Sequence, residues 1–242
     1  MSSVILVTGT DTAVGKTVVT AGLAAAIRSR GIDAGVMKVA ATGCTISDGY
    51  ICSADTQFLR ALTGVTEPDW MIAPICLEPP LAPAVAARVA GTAVSWNRVK
   101  QGVLDLCERH PVVLVEGVGG LLVPLDDEML LADVAERLGM TVLIVARPGL
   151  GTINHTLLTI EAVQMRELRV AGVVFCQTFE DEEDVSTATN PAEIERIAGV
   201  HILGTLPFDP ELSVEECRAG RLVELVEEHL DVEGFIRREC GG

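Results

Sequence analysis

The stretch that decides the fold is Val4-Ile5-Leu6-Val7-Thr8-Gly9-Thr10-Asp11-Thr12-Ala13-Val14-Gly15-Lys16-Thr17. Val4 to Val7 is a short apolar run that breaks at Gly9, the pattern of a buried strand. Val18 to Arg28 carries apolar residues at helical spacing and stops near Gly31. Between the two lies a loop that starts at Gly9 and ends Gly15-Lys16-Thr17. A phosphate-binding loop reads G-x-x-x-x-G-K-[ST]; here the first glycine lies one residue further out. Gly15 lets the backbone approach phosphate oxygens, and the free N–H groups of the helix start, from Thr12 through Ala13 and Val14 to Val18, surround the anion. Lys16 reaches the β- and γ-phosphates, and Thr17 offers a hydroxyl to Mg²⁺. The strand–loop–helix setting makes the motif far more specific than a bare G-K-T.

Outward from this unit, strands and helices alternate. Strands are expected at Ala34–Met37, Val112–Val115, Thr141–Ala146, Val170–Phe175 and Ile202–Leu206. Helices are expected at Asp55–Leu62, Pro83–Ala90, Ser95–Glu108, Leu131–Leu138, Ile153–Glu167 and Pro191–Ala198. Ser213 followed by Glu216 reads as a capping box opening a helix to His229. Five prolines between Glu67 and Pro83 predict an irregular stretch. The strands are uniformly apolar, as a sheet covered on both faces requires. The fold expected is α/β: a mostly parallel sheet with helices on both faces, of the P-loop NTPase type, in a single domain over residues 1–242.

Composition narrows the partners. The 242 residues carry 34 Asp+Glu against 18 Lys+Arg, a net charge of −16 that excludes proteins coating nucleic acid or anionic membranes. Aromatics make up 3%, leaving few platforms for stacking bases. No apolar run approaches the ~20 residues of a membrane span. The start of the chain lacks the look of a signal peptide, so a cytoplasmic protein is expected. The seven cysteines show no C-x-x-C pair and read as free thiols in a reducing compartment. The acidic run Glu180–Asp184 reads as a solvated loop.

Only three of the cations are lysines, Lys16, Lys38 and Lys100. Two follow strand ends in the first unit; Lys100, on an amphipathic helix, reads as a surface residue. Glu116 stands at the end of the Val112–Val115 strand, where P-loop proteins place a carboxylate near the metal. Gly119 after it allows close approach of a ligand. Asp55 reads either as a metal ligand or as part of a helix start, and Thr42 as a ligand or a plain loop hydroxyl. Gly149 to Asn154 precedes a helix and offers a second anion site; Asn154 reads equally as a helix-start residue.

These blocks together resemble dethiobiotin synthase. The loop Gly9 to Thr17, Lys38, Glu116-Gly117-x-Gly119-Gly120, the run Leu150 to Thr159, and Gly204-x-Leu206-Pro207 follow the family's pattern in order along the chain. The resemblance implies an ATP-dependent carboxylation and ring closure of 7,8-diaminononanoate with CO₂, through a carbamate and a carbamic–phosphoric anhydride, giving dethiobiotin, ADP and phosphate. It implies Lys16 and Lys38 as catalytic cations, and Thr17, Asp55 and Glu116 as Mg²⁺ ligands. Thr12, Lys38, Thr42, Gly119, Gly151, Thr152, Ile153 and Asn154 would contact substrate. Gln177 and Pro207 would line the base site, where the family's asparagine is not evident. The helix start at Gly151–Asn154 would come from a neighbouring subunit, which makes a homodimer the expected partner. Lys38→Gln is then expected to spare folding while removing most turnover. The alternative on this fold is an ATP-switched partitioning ATPase, whose additional loop lysine is replaced by Thr10 or Asp11.

Overall fold

The computed structural model describes residues 2–47, 50–180 and 185–240. Its first half runs β1 (Ser3–Gly9), α1 (Lys16–Ser29), β2 (Ala34–Lys38), β3 (Ala41–Thr42), β4 (Thr45–Ser47), β5 (Tyr50–Cys52), α2 (Ala54–Thr63), α3 (Asp69–Ile72), β6 (Cys76–Leu77), α4 (Pro83–Val89) and α5 (Trp96–Arg109). The second half runs β7 (Val112–Gly120), α6 (Leu131–Arg137), β8 (Thr141–Ala146), α7 (Thr152–Gln164), β9 (Val170–Cys176), α8 (Val185–Ala198), β10 (Ile202–Leu206), β11 (Leu212–Ser213), β12 (Arg218–Ala219), α9 (Leu222–His229) and α10 (Val232–Glu239).

Six strands make one sheet in the order β10-β9-β8-β1-β7-β2, with every pairing parallel. The alternation of side chains along each strand sends successive apolar residues to opposite faces. Leu6, Met37, Val113, Val115, Ile144 and Phe175 meet α5, α6 and α7 through Val103, Leu106, Leu131 and Ile160. Ile5, Val7, Val36, Leu114, Val145 and Val174 meet the other layer through Leu23, Ile27, Phe58, Val226 and Phe235. Both faces are therefore dry, as the uniformly apolar strands require. Each buried Val, Leu, Ile or Phe contributes about 1.5–3 kcal/mol.

Three elements depart from expectation. β7 continues beyond Val115 to Gly120, and Gly120 pairs with Gly9. A Cβ on Gly117 would lie 2.4 Å from Leu131, so this glycine admits α6 against the strand instead of ending it. α8 begins at Val185 and contains Pro191. Asn190, next to that proline, is buried and donates to the carbonyl oxygens of Pro148 (2.8 Å) and Gly149 (3.4 Å), anchoring this part of α8. Of the acidic run only Glu180 is described, and it is exposed; 181–184 lie outside the described residues.

The third departure reshapes the site. The expected helix from Ser213 to His229 is a hairpin, β11 with β12, followed by a helix that starts only at Leu222. Ser213 Oγ does accept the Glu216 N–H at 3.1 Å, but the bond closes a turn. Cys217 and Gly220 then take positive φ, 54° and 51°, which a continuing helix forbids. The Asp209 carboxylate ties the hairpin shut by accepting from the N–H groups of Glu211 (2.9 Å) and Arg221 (2.7 Å).

Candidate active site

The loop between β1 and α1 closes over the lysine it carries. Gly15 caps α1 in the left-handed region (φ 89°), with no side chain competing for the first N–H groups and no acidic residue in the first turn. A Cβ on Gly15 would lie 2.4 Å from Cys176 Sγ, so the loop packs on the end of β9 through a missing side chain. Gly9 is equally required, since a Cβ there would meet the Asp11 carbonyl oxygen at 2.6 Å and Lys16 Nζ at 2.9 Å. Lys16 is buried and donates to that carbonyl at 2.9 Å. Burial, and secondarily the nearby Lys38 charge, lower its pKa to about 8; Glu116, Asp55 and Asp11 oppose this.

The parallel register brings in the second lysine. Lys38 pairs with Glu116 across β2 and β7, and Val7 flanks Glu116 on the other side. Lys38 Nζ donates to Glu116 Oε1 at 2.5 Å and pairs with Asp55 Oδ2 at 2.7 Å. Burial alone would discharge Lys38, but Glu116 and Asp55 hold its pKa up at about 12. Asp55 enters from the first turn of α2, whose N-cap is Ser53, so it is both a helix-start residue and a member of the cluster. Burial opposes its ionisation, yet the Lys38 charge keeps its carboxyl below the usual range. Glu116 is wholly buried, which pushes its pKa up. Thr17 Oγ1 sits 2.7 Å from Glu116 Oε1 and 3.1 Å from Asp55 Oδ1. Glu116 Oε2 is buried and has no partner.

A cavity of about 470 Å³ opens on this cluster. Of the residues expected from sequence, it is lined by Thr12, Ala13, Gly15, Lys16, Thr17, Val18, Lys38, Asp55, Glu116, Gly119, Gln177 and Pro207. Val14 is turned into the core beneath the loop and does not line it. Thr42 pairs with Leu77 in a short two-stranded ladder and also stands apart from the lining. Gly151 to Asn154 form the N-terminus of α7 away from this cavity. Thr152 there is buried, its hydroxyl bonded to that of Thr156 at 3.3 Å, so backbone groups, the exposed Asn154 and part of Ile153 face outward.

The far end of the cavity was hidden from sequence reasoning. Thr178, Phe179, Phe208, Asp209, Leu212 to Glu215, Leu222 and Leu225 line it. These residues gather because the hairpin replaces the expected helix. The two positive-φ residues before α9 left no pattern beyond Gly220 itself. Exposed Phe179 and Phe208, in a chain with five phenylalanines, were the available signal.

Among the described residues, no group of three His, Cys, Asp or Glu is arranged to hold a metal ion, and no helix is long and apolar enough to cross a membrane. Among the described residues no cysteine forms a disulfide.

The fold is shared with bacterial and archaeal MinD. The septum site-determining protein MinD of Pyrococcus horikoshii, complexed with Mg-ADP, superposes with a TM-score of 0.55 at 18% identity, covering 99% of this chain and 95% of that one. The MinC:MinD complex of Aquifex aeolicus gives a TM-score of 0.59 at 16% identity, covering 100% and 97%. A family model described as an AAA domain matches residues 3–216. The ATP-dependent dethiobiotin synthetase BioD of Anaeromyxobacter dehalogenans is 46% identical over 209 residues, 86% of this chain and 92% of that protein. The protein of the same name from Thermodesulfovibrio yellowstonii is 36% identical over 237 residues, 95% and 97% of the two chains. With a family model matching residues 3–216 and relatives 36–46% identical over most of both chains, the chain belongs to the family of ATP-dependent dethiobiotin synthetases.

Proposed function

We propose that this chain, acting as one domain around one cleft, joins CO₂ to an amine of 7,8-diaminononanoate and closes the ring at the expense of ATP. The observation that carries the reading is the convergence of both cleft lysines, Lys16 and Lys38, on the head of α1 in a protein of net charge −16. The two reactants that must meet, a carbamate and the γ-phosphate, are both anionic. Fixed cations in a dry cleft offset that repulsion where charge develops.

In this scheme the N–H groups of Ala13 to Val18 cradle the phosphates, and Lys16 exchanges the Asp11 carbonyl for a phosphate oxygen. The carbamate attacks the γ-phosphorus, ADP departs, and the second amine attacks the anhydride carbon and expels phosphate. Lys38, held charged by Glu116 and Asp55, faces the carbamate with Thr12 and Gly119 around it. Thr17, Asp55 and Glu116 would hold Mg²⁺: their oxygens suit a hard cation, and the unpartnered Glu116 Oε2 marks an unmet need for positive charge. When bound, that ion neutralises charge on the β- and γ-phosphates. Gln177 and Pro207 flank the base.

The homodimer rests on a face that the fold leaves open. Leu158 is 56% and Leu122 53% exposed, and both line a cavity of about 280 Å³ with His155 and Thr159; Leu150, just before α7, is 85% exposed. Covering this face with a second copy would carry Gly151–Asn154 to the neighbour's substrate carboxylate. A cytoplasmic location fits cysteines that form no disulfide among the described residues. The likeness to MinD concerns the fold alone and does not favour the partitioning alternative.

The test is phosphate release from ATP in bicarbonate with and without the diamine, with dethiobiotin measured by mass spectrometry. Diamine-dependent release and a dethiobiotin product are expected. Release indifferent to the diamine, or dependent on DNA or lipid, refutes the reading. Sedimentation of wild type against Leu158→Asp tests the dimer face.

A further inference from the structure

The end of the cleft away from the phosphate loop is aromatic, in a chain with few aromatic residues. Of its five phenylalanines, Phe58, Phe175 and Phe235 are wholly buried in the two core layers. The other two, Phe179 and Phe208, are 65% and 36% exposed, and both line the cavity that begins at Lys16 and Thr17. A phenylalanine left in water forgoes the stabilisation that burial gives it, so the core does not explain where these two stand.

Strand register brings the two rings to one place. β9 and β10 are parallel with Cys176 opposite Leu206, and the Gln177 N–H donates to the Leu206 carbonyl oxygen at 3.0 Å. Both segments therefore leave the sheet side by side, with Phe179 three residues and Phe208 two residues past that pair. Neighbouring strands lie about 4.8 Å apart, so the two rings emerge over the same cavity.

The polar groups around them are either occupied or unfixed. The Asp209 carboxylate accepts from the N–H groups of Glu211 and Arg221, and Ser213 Oγ accepts from that of Glu216. Leu206, Pro207, Leu212, Val214, Leu222 and Leu225 add apolar surface, and no lysine, arginine or histidine lines this end. Gln177 and Thr178 line it with side chains that make no hydrogen bond among the described residues. An amide that nothing orients turns its oxygen or its NH₂ to a base with equal ease, so it discriminates little. Glu215 is exposed, and water competes for its carboxylate. Every nucleobase, by contrast, has a π-face on which an aromatic side chain can stack.

We propose that Phe179 and Phe208 hold the base of the nucleoside triphosphate by stacking, and that the cleft therefore takes purine and pyrimidine nucleotides with similar affinity, ATP being one of several. Selection falls on the phosphates, through the loop and Lys16, and on a flat ring at the far end. The inference rests on the function proposed above only for the seating of the nucleotide in this cleft; affinity is measured without the diamine and does not depend on the reaction.

The experiment is calorimetric titration of the full chain with ADP, GDP, CDP and UDP in the presence of Mg²⁺, with tripolyphosphate as a probe that has no base. The four nucleotides should bind within about ten-fold of one another. Phe179→Ala and Phe208→Ala should each weaken all four by about 5- to 100-fold, the factor that one lost stacking contact corresponds to. Both variants should bind tripolyphosphate as wild type does, which also shows that they are folded. Phe208→Tyr keeps the ring and should keep the affinity. A larger preference for one base, or a Gln177→Ala variant that loses one nucleotide alone, overturns the inference. Phenylalanine variants that bind nucleotides as wild type does, or that lose tripolyphosphate as much as ADP, overturn it as well. Diamine-dependent phosphate release is assayed separately with each triphosphate; its absence with all four refutes the proposed reaction and leaves the binding series to judge the stacking.

Discussion

Replacing Lys38 with glutamine tests how the site is held together. Glu116 is 0% exposed and its Oε1 accepts from Lys38 at 2.5 Å, while Oε2 has no partner at all. Glutamine keeps a donor but removes the charge. Leaving one buried member of an ion pair uncompensated costs about 3–5 kcal/mol. The contact with Asp55 adds little, because that carboxylate is one-third exposed and water screens it; about 1 kcal/mol is its ceiling. Lys38→Gln should therefore lose about 3–5 kcal/mol, a large share of a domain's ordinary 5–15 kcal/mol. This differs from the view taken from the sequence alone, that the substitution spares folding. The double variant Lys38→Gln with Glu116→Gln should recover at least about 2 kcal/mol of the loss, because no buried charge is then stranded. Urea unfolding at pH 7 in EDTA, with slopes compared among the variants, measures both numbers. A single variant within about 0.5 kcal/mol of wild type, or a double variant no better than the single, refutes the reasoning.

Three further substitutions follow the same logic. Lys16→Met should stabilise the ligand-free protein by about 2 kcal/mol: the drop from 10.5 to about 8 corresponds to about 3 kcal/mol, less about 1 for the bond to Asp11. Because both folded and unfolded chains carry the charge below about pH 8, the gain should be constant there and fade toward pH 10.5, and added ATP should stabilise wild type alone; thermal melts across pH check this. Gly15→Ala should weaken nucleotide binding in calorimetry, since the left-handed backbone costs about 1–2 kcal/mol and the new Cβ meets Cys176 Sγ; adding Cys176→Ala should recover only the steric part. Arg169→Ala should cost about 2–3 kcal/mol in urea unfolding, because Glu239, 1% exposed, loses bonds of 2.5 and 2.6 Å and keeps only Thr141 at 3.2 Å. An Arg169→Ala midpoint equal to wild type would remove that pair from the anchoring of α10.

Much of this protein was legible one residue at a time. The phosphate loop, the five strands after it and the covered sheet follow from local pattern, because a strand buried on both faces admits only apolar residues and the loop needs glycine at fixed places. Asp55 was ambiguous for a physical reason: a carboxylate in a first helical turn satisfies the helix whether or not it faces a site. The hairpin at Leu212 to Ala219 was not legible, since Ser213 makes the same hydrogen bond to Glu216 in a turn as in a helix.

From the sequence by itself came the inventory: which residues carry charge, which loop takes phosphate, and that two of three lysines follow strand ends. Only the tertiary structure decided their relations. Parallel register sets Lys38 beside Glu116, separated by 78 positions in the chain, and Thr17 reaches Glu116 across 99. Side-chain pattern repeats over a few residues and says which face is buried. It contains nothing about which strand lies alongside which, and that is settled by how the helices close over both faces of the sheet.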